Sequence, residues 1–206
     1  HFVSREQHAI QRTRQLFAHV LGYSIADTPL KYGLSVEPDS SISSDSILFL
    51  HGTTWASKRW PMAFWQVLAR LAAAEGMQVL IPSGNTEERR FADELAATSD
   101  AIVALDEHSL ADMASLIKAM RGVVSVDSGL AHLASALQVP AVGLYGATNA
   151  ELTGILGDKQ RSLQAAIDCS PCLQRVCPRL EQGKVSAPCT DTLDADRAWQ
   201  TLKAML

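Results

Sequence analysis

The stretch His51-Gly52-Thr53-Thr54-Trp55-Ala56-Ser57-Lys58-Arg59-Trp60-Pro61 follows an apolar run and leads into a helix-forming one. Its residue types suit a diphosphate. Gly52 lets the backbone approach a ligand, and Thr53 and Thr54 offer hydroxyls. Lys58 sets a mobile cation just ahead of a helix N-terminus, whose free N–H groups attract anions. A plain polar loop with a hydroxyl cap has the same composition. A second set is Val126-Asp127-Ser128-Gly129-Leu130-Ala131-His132. Asp127 closes an apolar run, while Ser128 and Gly129 open the next helix with unbonded N–H groups. His132, four residues past Ser128, falls on the same helical face. Anion binding at Ser128 and Gly129 is the functional reading; an Asp-Ser-Gly cap beside a packing histidine is the structural one. In a third loop, Pro82-Ser83-Gly84-Asn85-Thr86-Glu87-Glu88-Arg89, a carboxylate could accept hydrogen bonds from ribose or sugar hydroxyls. An acid in a helix's first turn more often complements the macrodipole.

Two signatures are missing. No G-x-x-x-x-G-K-[ST] occurs, which argues against a P-loop nucleotidase, and no G-x-G-x-x-G follows the first apolar run, which weakens a dinucleotide dehydrogenase. The Asp-x-Asp at Asp194-Ala195-Asp196 opens the last helix rather than ending a strand, so it suits that helix's dipole better than a bridging metal. Four cysteines, Cys169, Cys172, Cys177 and Cys189, fall close together. Their spacing is compatible with a structural zinc knuckle of four thiolates, but the second pair is widely split and lacks a CxxC. Four reduced cysteines in an irregular segment, marked by Pro171, Pro178 and Pro188, is the other reading.

The elements that must position these loops are readable. Apolar runs at 47–50, 77–81, 101–105, 123–126 and 140–145 alternate with helical patterns. Pro61 stands early in the first of these helices and Gly76 stops it; Thr86 is expected to cap the next, and Ser109 the one after. Strand–helix alternation predicts a Rossmann-like parallel sheet with helices on both faces and right-handed crossovers. In such sheets ligands bind beyond the carboxyl ends of the strands, where all three loops lie. A helix is expected over 5–21 with Gly22 as its stop, a Ser/Asp/Pro linker over 35–46, and a last helix at 193–206.

With 18 basic and 22 acidic residues in 206, the chain has a net charge of −4, which gives no general nucleic-acid signature. Lys58, Arg59, Arg89 and Arg90 could still form a local basic patch. No apolar run approaches the roughly 20 residues needed to span a bilayer, and no secretory signal opens the sequence. A cytoplasmic location is expected.

Taken together, His51-Gly52-Thr53-Thr54, Ser57-Lys58, Trp60-Pro61, then Val126 through Leu133, then Gly143-Leu144-Tyr145-Gly146-Ala147-Thr148, closely resemble the ADP-heptose:lipopolysaccharide heptosyltransferases. The Thr-Thr form of the first loop is more similar to type I than to type II members. The resemblance covers about 45–206 and, more weakly, the helix at 5–21. It implies a GT-B type architecture of two Rossmann-like domains, with this chain supplying the C-terminal, ADP-sugar-binding one over 47–206. Residues 1–34 would be the tail of the N-terminal acceptor domain. It implies an inverting transfer of heptose to Kdo–lipid A, without a cofactor, at or near the inner face of the inner membrane. Carried over residue by residue, Thr53, Thr54 and Lys58 would hold phosphates and heptose. Asp127, Ser128, Gly129 and His132 would surround diphosphate and sugar, and Glu87 would reach the ribose. Lys58 would stabilise the leaving diphosphate. Ser128 departs mildly from the family's usual Thr. The base that would deprotonate the acceptor is expected in the acceptor domain, so this chain by itself is expected to bind donor and transfer nothing. Two other classes stay open: a non-catalytic nucleotide-sugar-binding module, and a nucleotide-sugar epimerase on the same architecture.

Overall fold

The computed structural model describes residues 2–25 and 30–206. Residues 26–29, part of the 1–34 segment, lie outside the described ones. Six strands form one parallel sheet in the order β3-β2-β1-β4-β5-β6. They are β1 Ser46–Leu50, β2 Gln78–Ile81, β3 Ile102–Ala104, β4 Gly122–Val126, β5 Ala141–Tyr145 and β6 Gln160–Gln164. The helices are α1 Ala9–Leu21, α2 Met62–Ala74, α3 Thr86–Ala96, α4 Leu110–Ala119, α5 Gly129–Ala136, α6 Ala150–Thr153 and α7 Ala195–Lys203.

Side chains alternate across each strand, so the apolar runs feed two cores at once. In β1, Ile47 and Phe49 face α2, α3 and α7, among Trp65, Leu68, Leu95 and Trp199. Leu48 and Leu50 face α4 and α5, among Leu116, Ile117, Val123 and Leu137. All five residues of β1, β4 and β5 are buried, as expected of central parallel strands covered on both faces.

Helix ends follow local chemistry. Gly22 takes a left-handed conformation (φ 72°), and its N–H donates to the Ala18 carbonyl, closing α1. Ser109 caps α4 by accepting from Asp112 N–H, and Asp194 caps α7 by accepting from Arg197 N–H. One expectation fails. Asn85, not Thr86, caps α3, its Oδ1 accepting from Glu88 N–H at 2.9 Å, which makes Thr86 the first helical residue. Both residue types cap well, and the extended backbone needed at a cap falls one residue earlier.

Two elements were not anticipated. β6 (QRSLQ) is an edge strand with a mixed burial pattern, so it lacks a continuous apolar run. Its glutamines act as latches: Gln160 Nε2 donates to the Val139 carbonyl, and Gln164 Nε2 to the carbonyls of Tyr145 and Thr148. α6 is a single turn capped by Asn149. The 35–46 stretch is irregular yet seated: Val36 and Ile42 pack on the α4/α5 core, and Asp39 N–H donates to the Ser115 carbonyl. The α1 segment is tied to the sheet unit by His8, whose Nδ1 accepts from Ile10 N–H while Nε2 meets the Gly154 carbonyl at 2.9 Å. The outer face of α1 leaves Leu16, Phe17, Val20 and Leu21 exposed. Among the described residues no helix is long and apolar enough to cross a membrane.

Candidate functional site

The strand order reverses direction between β1 and β4, since β1 continues to β2 on one side and β4 to β5 on the other. The loops leaving these two strands therefore diverge and open a crevice, the usual ligand position in an open α/β sheet. They carry the first two residue sets, and one contact joins them across the gap. Lys58 Nζ lies 2.8 Å from Asp127 Oδ2, with both side chains largely buried.

Asp127 sits one residue past β4 and is 7 % exposed. The Thr148 hydroxyl donates to the same Oδ2 at 2.6 Å. A buried carboxylate needs such partners, and here Lys58 and Thr148 bring them from two other chain segments. Lys58 ends a short 3-10 turn, Ala56–Lys58, and its ammonium also rests 4.4 Å from the centre of the Trp55 ring. His132, half-buried on α5, has its pKa lowered, chiefly by burial; Asp127 opposes the shift, and His8 and Lys58 add to it. Lys58, Asp127 and His132 thus form one electrostatic unit.

Ser128 stands at the N-cap of α5 but makes no capping bond. Its hydroxyl instead lies 3.2 Å from that of buried Ser125, which in turn donates to the Val126 carbonyl at 2.7 Å. The first turn of α5 holds no acid, so its N–H groups and positive dipole end are left for an anion. Gly129 begins that turn, and a Cβ built on it would meet nothing within 4 Å. Thr53 and Thr54 lie on the loop after β1, Thr53 partly buried and Thr54 exposed.

At the third loop the two neighbouring acids part. Glu87 is exposed and makes a two-pronged ion pair with Arg59, at 2.7 and 3.0 Å. Glu88 turns inward: its Oε2 accepts from Gly84 N–H at 2.8 Å, and a Cβ on Gly52 would come within 2.6 Å of its Oε1. A pocket here is lined by His51, Gly52, Thr53, Asn85, Glu88 and Phe91, with Glu87 and Arg59 also on its wall. The sequence names Glu87 as a candidate and not Glu88, yet both line this pocket; adjacent helical residues differ in direction by about 100°, and periodicity alone does not say which faces the strand ends.

His51 was likewise passed over as a site residue. Its ring stacks on Phe91 at 4.5 Å, Nε2 lies 3.3 Å from the Glu88 carbonyl, and Nδ1 is buried with no hydrogen-bond partner. Burial lowers its pKa against the opposing pull of Glu88. For a histidine with a lowered folded pKa, the unfolded chain binds more protons below the ordinary value of 6.5. Stability is therefore full above about pH 6.5 and is lost as the pH falls below it. We expect His51 and His132 to titrate with midpoints under 6.5 and the melting temperature to drop on acidification through that window. Ring-proton chemical shifts followed against pH give both midpoints, and values at or above 6.5 would contradict the burial argument.

The third motif also finds a role. Gly143 leaves room for the Tyr145 ring, Gly146 lets Cys189 Sγ approach (2.9 Å from an added Cβ), and Thr148 binds Asp127. The four cysteines are free thiols, Cys189 buried and the others partly so. Burial pushes the Cys189 thiol up to about 11, with Cys172, Cys177 and Cys169 adding to the shift. The thiols thus share one neighbourhood, although no three His, Cys, Asp or Glu side chains among the described residues are grouped as metal ligands.

Residues 1–182 match the model of glycosyltransferase family 9 (heptosyltransferase). The chain belongs to this family. Among family 9 relatives, lipopolysaccharide heptosyltransferase 1 of Pseudomonas aeruginosa is 40% identical over 97% of this chain and 59% of its own length. The chain therefore spans little more than half of such relatives. Its likeness to a type 1 member agrees with the Thr53-Thr54 form of the first loop. Two solved structures are similar to it throughout. E. coli heptosyltransferase WaaC with ADP has a TM-score of 0.76 and 30% identity, covering 100% of this chain and 59% of the other. The same enzyme with ADP-2-deoxy-2-fluoro heptose has a TM-score of 0.75, covering 99% and 58%. The sheet and its helices match the GT-B glycosyltransferase architecture of those structures, as the resemblance implied.

Proposed function

We propose that this chain is the donor-binding part of a lipopolysaccharide heptosyltransferase and holds ADP-heptose in the crevice between the β1 and β4 loops. The Lys58–Asp127 pair carries this reading, because it fixes a cation at the strand-order reversal, beside the uncapped N-terminus of α5. A diphosphate placed there would meet the ammonium, the α5 N–H groups and the hydroxyls of Thr53, Thr54 and Ser128. As the glycosidic bond to the diphosphate breaks, charge grows on the departing oxygen. Lys58 and the helix terminus would stabilise it from fixed positions, with no metal needed for that task. His132, held neutral by burial, would offer a ring nitrogen to the sugar or phosphate. Glu88 is placed to accept from ribose hydroxyls, with Glu87 remaining at the rim on Arg59.

The acceptor side belongs to the same proposal. The apolar outer face of α1, with Leu16, Phe17, Val20 and Leu21 exposed, suits the seam to an acceptor-binding domain that would hold Kdo–lipid A and supply the base. Transfer would invert the anomeric carbon and take place on the cytoplasmic side, next to the membrane that carries the lipid.

Equilibrium titration of the chain with ADP-heptose tests the donor reading: saturable binding is expected, and its absence would overturn it. A local test uses Gly129. Because a Cβ there meets no protein atom within 4 Å, Gly129→Ala should leave the melting temperature nearly unchanged. It should weaken ADP-heptose about tenfold if the diphosphate packs against that backbone. Unchanged affinity would move the phosphates away from α5.

A further inference from the structure

The segment from β6 to α7 is anchored to the site, and its anchors converge beside Lys58. The Ser57 hydroxyl donates to the Gln174 carbonyl at 2.6 Å, and Ser57 N–H donates to the Arg175 carbonyl at 3.2 Å. Leu173 N–H reaches the Ala147 carbonyl at 2.8 Å, and the Ser170 hydroxyl reaches the Gly146 carbonyl at 2.7 Å. Leu173 adopts a left-handed backbone (φ 58°), which sharply redirects the chain just before Gln174. The result is a built loop that fixes the backbone of Arg175 against the residue preceding Lys58. Its side chain returns to the same place: the guanidinium carbon lies 5.3 Å from the centre of the Trp55 ring, which also holds the Lys58 ammonium at 4.4 Å.

Charge distinguishes these two cations. Lys58 is neutralised by Asp127, so the pair presents little net charge to an incoming anion. Arg175 is exposed, and among the described residues no carboxylate forms an ion pair with it. A nucleotide sugar carries one negative charge on each phosphate, more than the Lys58–Asp127 pair can balance. A guanidinium offers several donors in a planar fork that matches phosphate oxygens, and an aromatic face keeps it oriented without removing its charge.

We propose that Arg175 is a second cation of the donor site, delivered by the cysteine-bearing loop beside Trp55 and Lys58 to bind the diphosphate of the nucleotide sugar. This rests on the donor reading above. Arg175 supplies the unbalanced positive charge, and Lys58 supplies the ammonium at the leaving oxygen.

The test is calorimetric titration of the chain and of Arg175→Ala, Arg175→Lys and Lys58→Ala with ADP and with adenosine. Because Arg175 is exposed, its variants should fold, which circular dichroism and melting will check. Arg175→Ala should weaken ADP about tenfold, leave adenosine unchanged and flatten the salt dependence of ADP binding, with Arg175→Lys recovering part of the loss. Wild-type ADP affinity in Arg175→Ala, alongside weakened binding in Lys58→Ala, would overturn this assignment and leave the donor reading standing. Equal losses for ADP and adenosine would show a structural role instead of a phosphate contact, and would also overturn it. Failure of the unaltered chain to bind ADP would overturn both.

Discussion

Lys58→Ala should lower the affinity for ADP about 100-fold, since it removes a charge-assisted contact worth about 1.5–3 kcal/mol in a partly desolvated site. It should also destabilise the fold. With Lys58 gone, Asp127, only 7 % exposed in the parent chain, keeps just the Thr148 hydroxyl on its Oδ2 and becomes a largely buried carboxylate without a cation. Removing one partner of a buried pair is strongly destabilising, and here, at a crevice edge, about 2–4 kcal/mol is expected. The two effects can be separated. Adding Asp127→Asn to Lys58→Ala removes the orphaned charge and should restore at least about 1 kcal/mol of stability. It should not restore the affinity to that of the parent chain. Denaturant melts of the four proteins in the cycle give the coupling. Additive losses would mean that the 2.8 Å pair contributes nothing, contrary to the role given to it.

A large effect on stability alone is expected from Gly143→Ala. Gly143 lies mid-strand in β5, two residues from Tyr145 and on the same face. A Cβ there would sit 2.7 Å from Tyr145 Cε2 and 3.1 Å from its hydroxyl oxygen. The ring has nowhere to go, being fully buried, and its oxygen accepts from Ile155 N–H at 3.0 Å. Overpacking of this kind, with a buried hydrogen bond disturbed, should remove about 2–3 kcal/mol. For a chain of this size that lowers the melting temperature by about 5–10 °C. A melting temperature within a degree of the parent would show that the ring can repack.

Lys58 and Gly143 sit in a fold that was only partly legible in the sequence. The sheet was legible because β1, β4 and β5 are buried on both faces and must be written as unbroken apolar runs. β6 was not, because an edge strand whose work is done by Gln160 and Gln164 latches carries no such run. The site followed the same division. Lys58 and Asp127 stood out because both lie in segments that follow strand ends, where topology places ligands. Their contact with each other, and the part of Thr148, depend on strand order, which periodicity does not reveal. Which of the adjacent acids Glu87 and Glu88 turns inward was hidden for a related reason: only the position of Gly52 and Gly84 against the helix decides it. Arg175 gave no local signal. It reaches the site through a loop docked on Ser57 from more than a hundred residues away in sequence.

The central claim is that the crevice between the β1 and β4 loops recognises an adenine nucleotide diphosphate. Competitive calorimetry of the chain with ADP and UDP tests it most directly. The account predicts that ADP binds at least about tenfold more tightly and that Lys58→Ala weakens it. Equal affinity, or a preference for UDP, would contradict it.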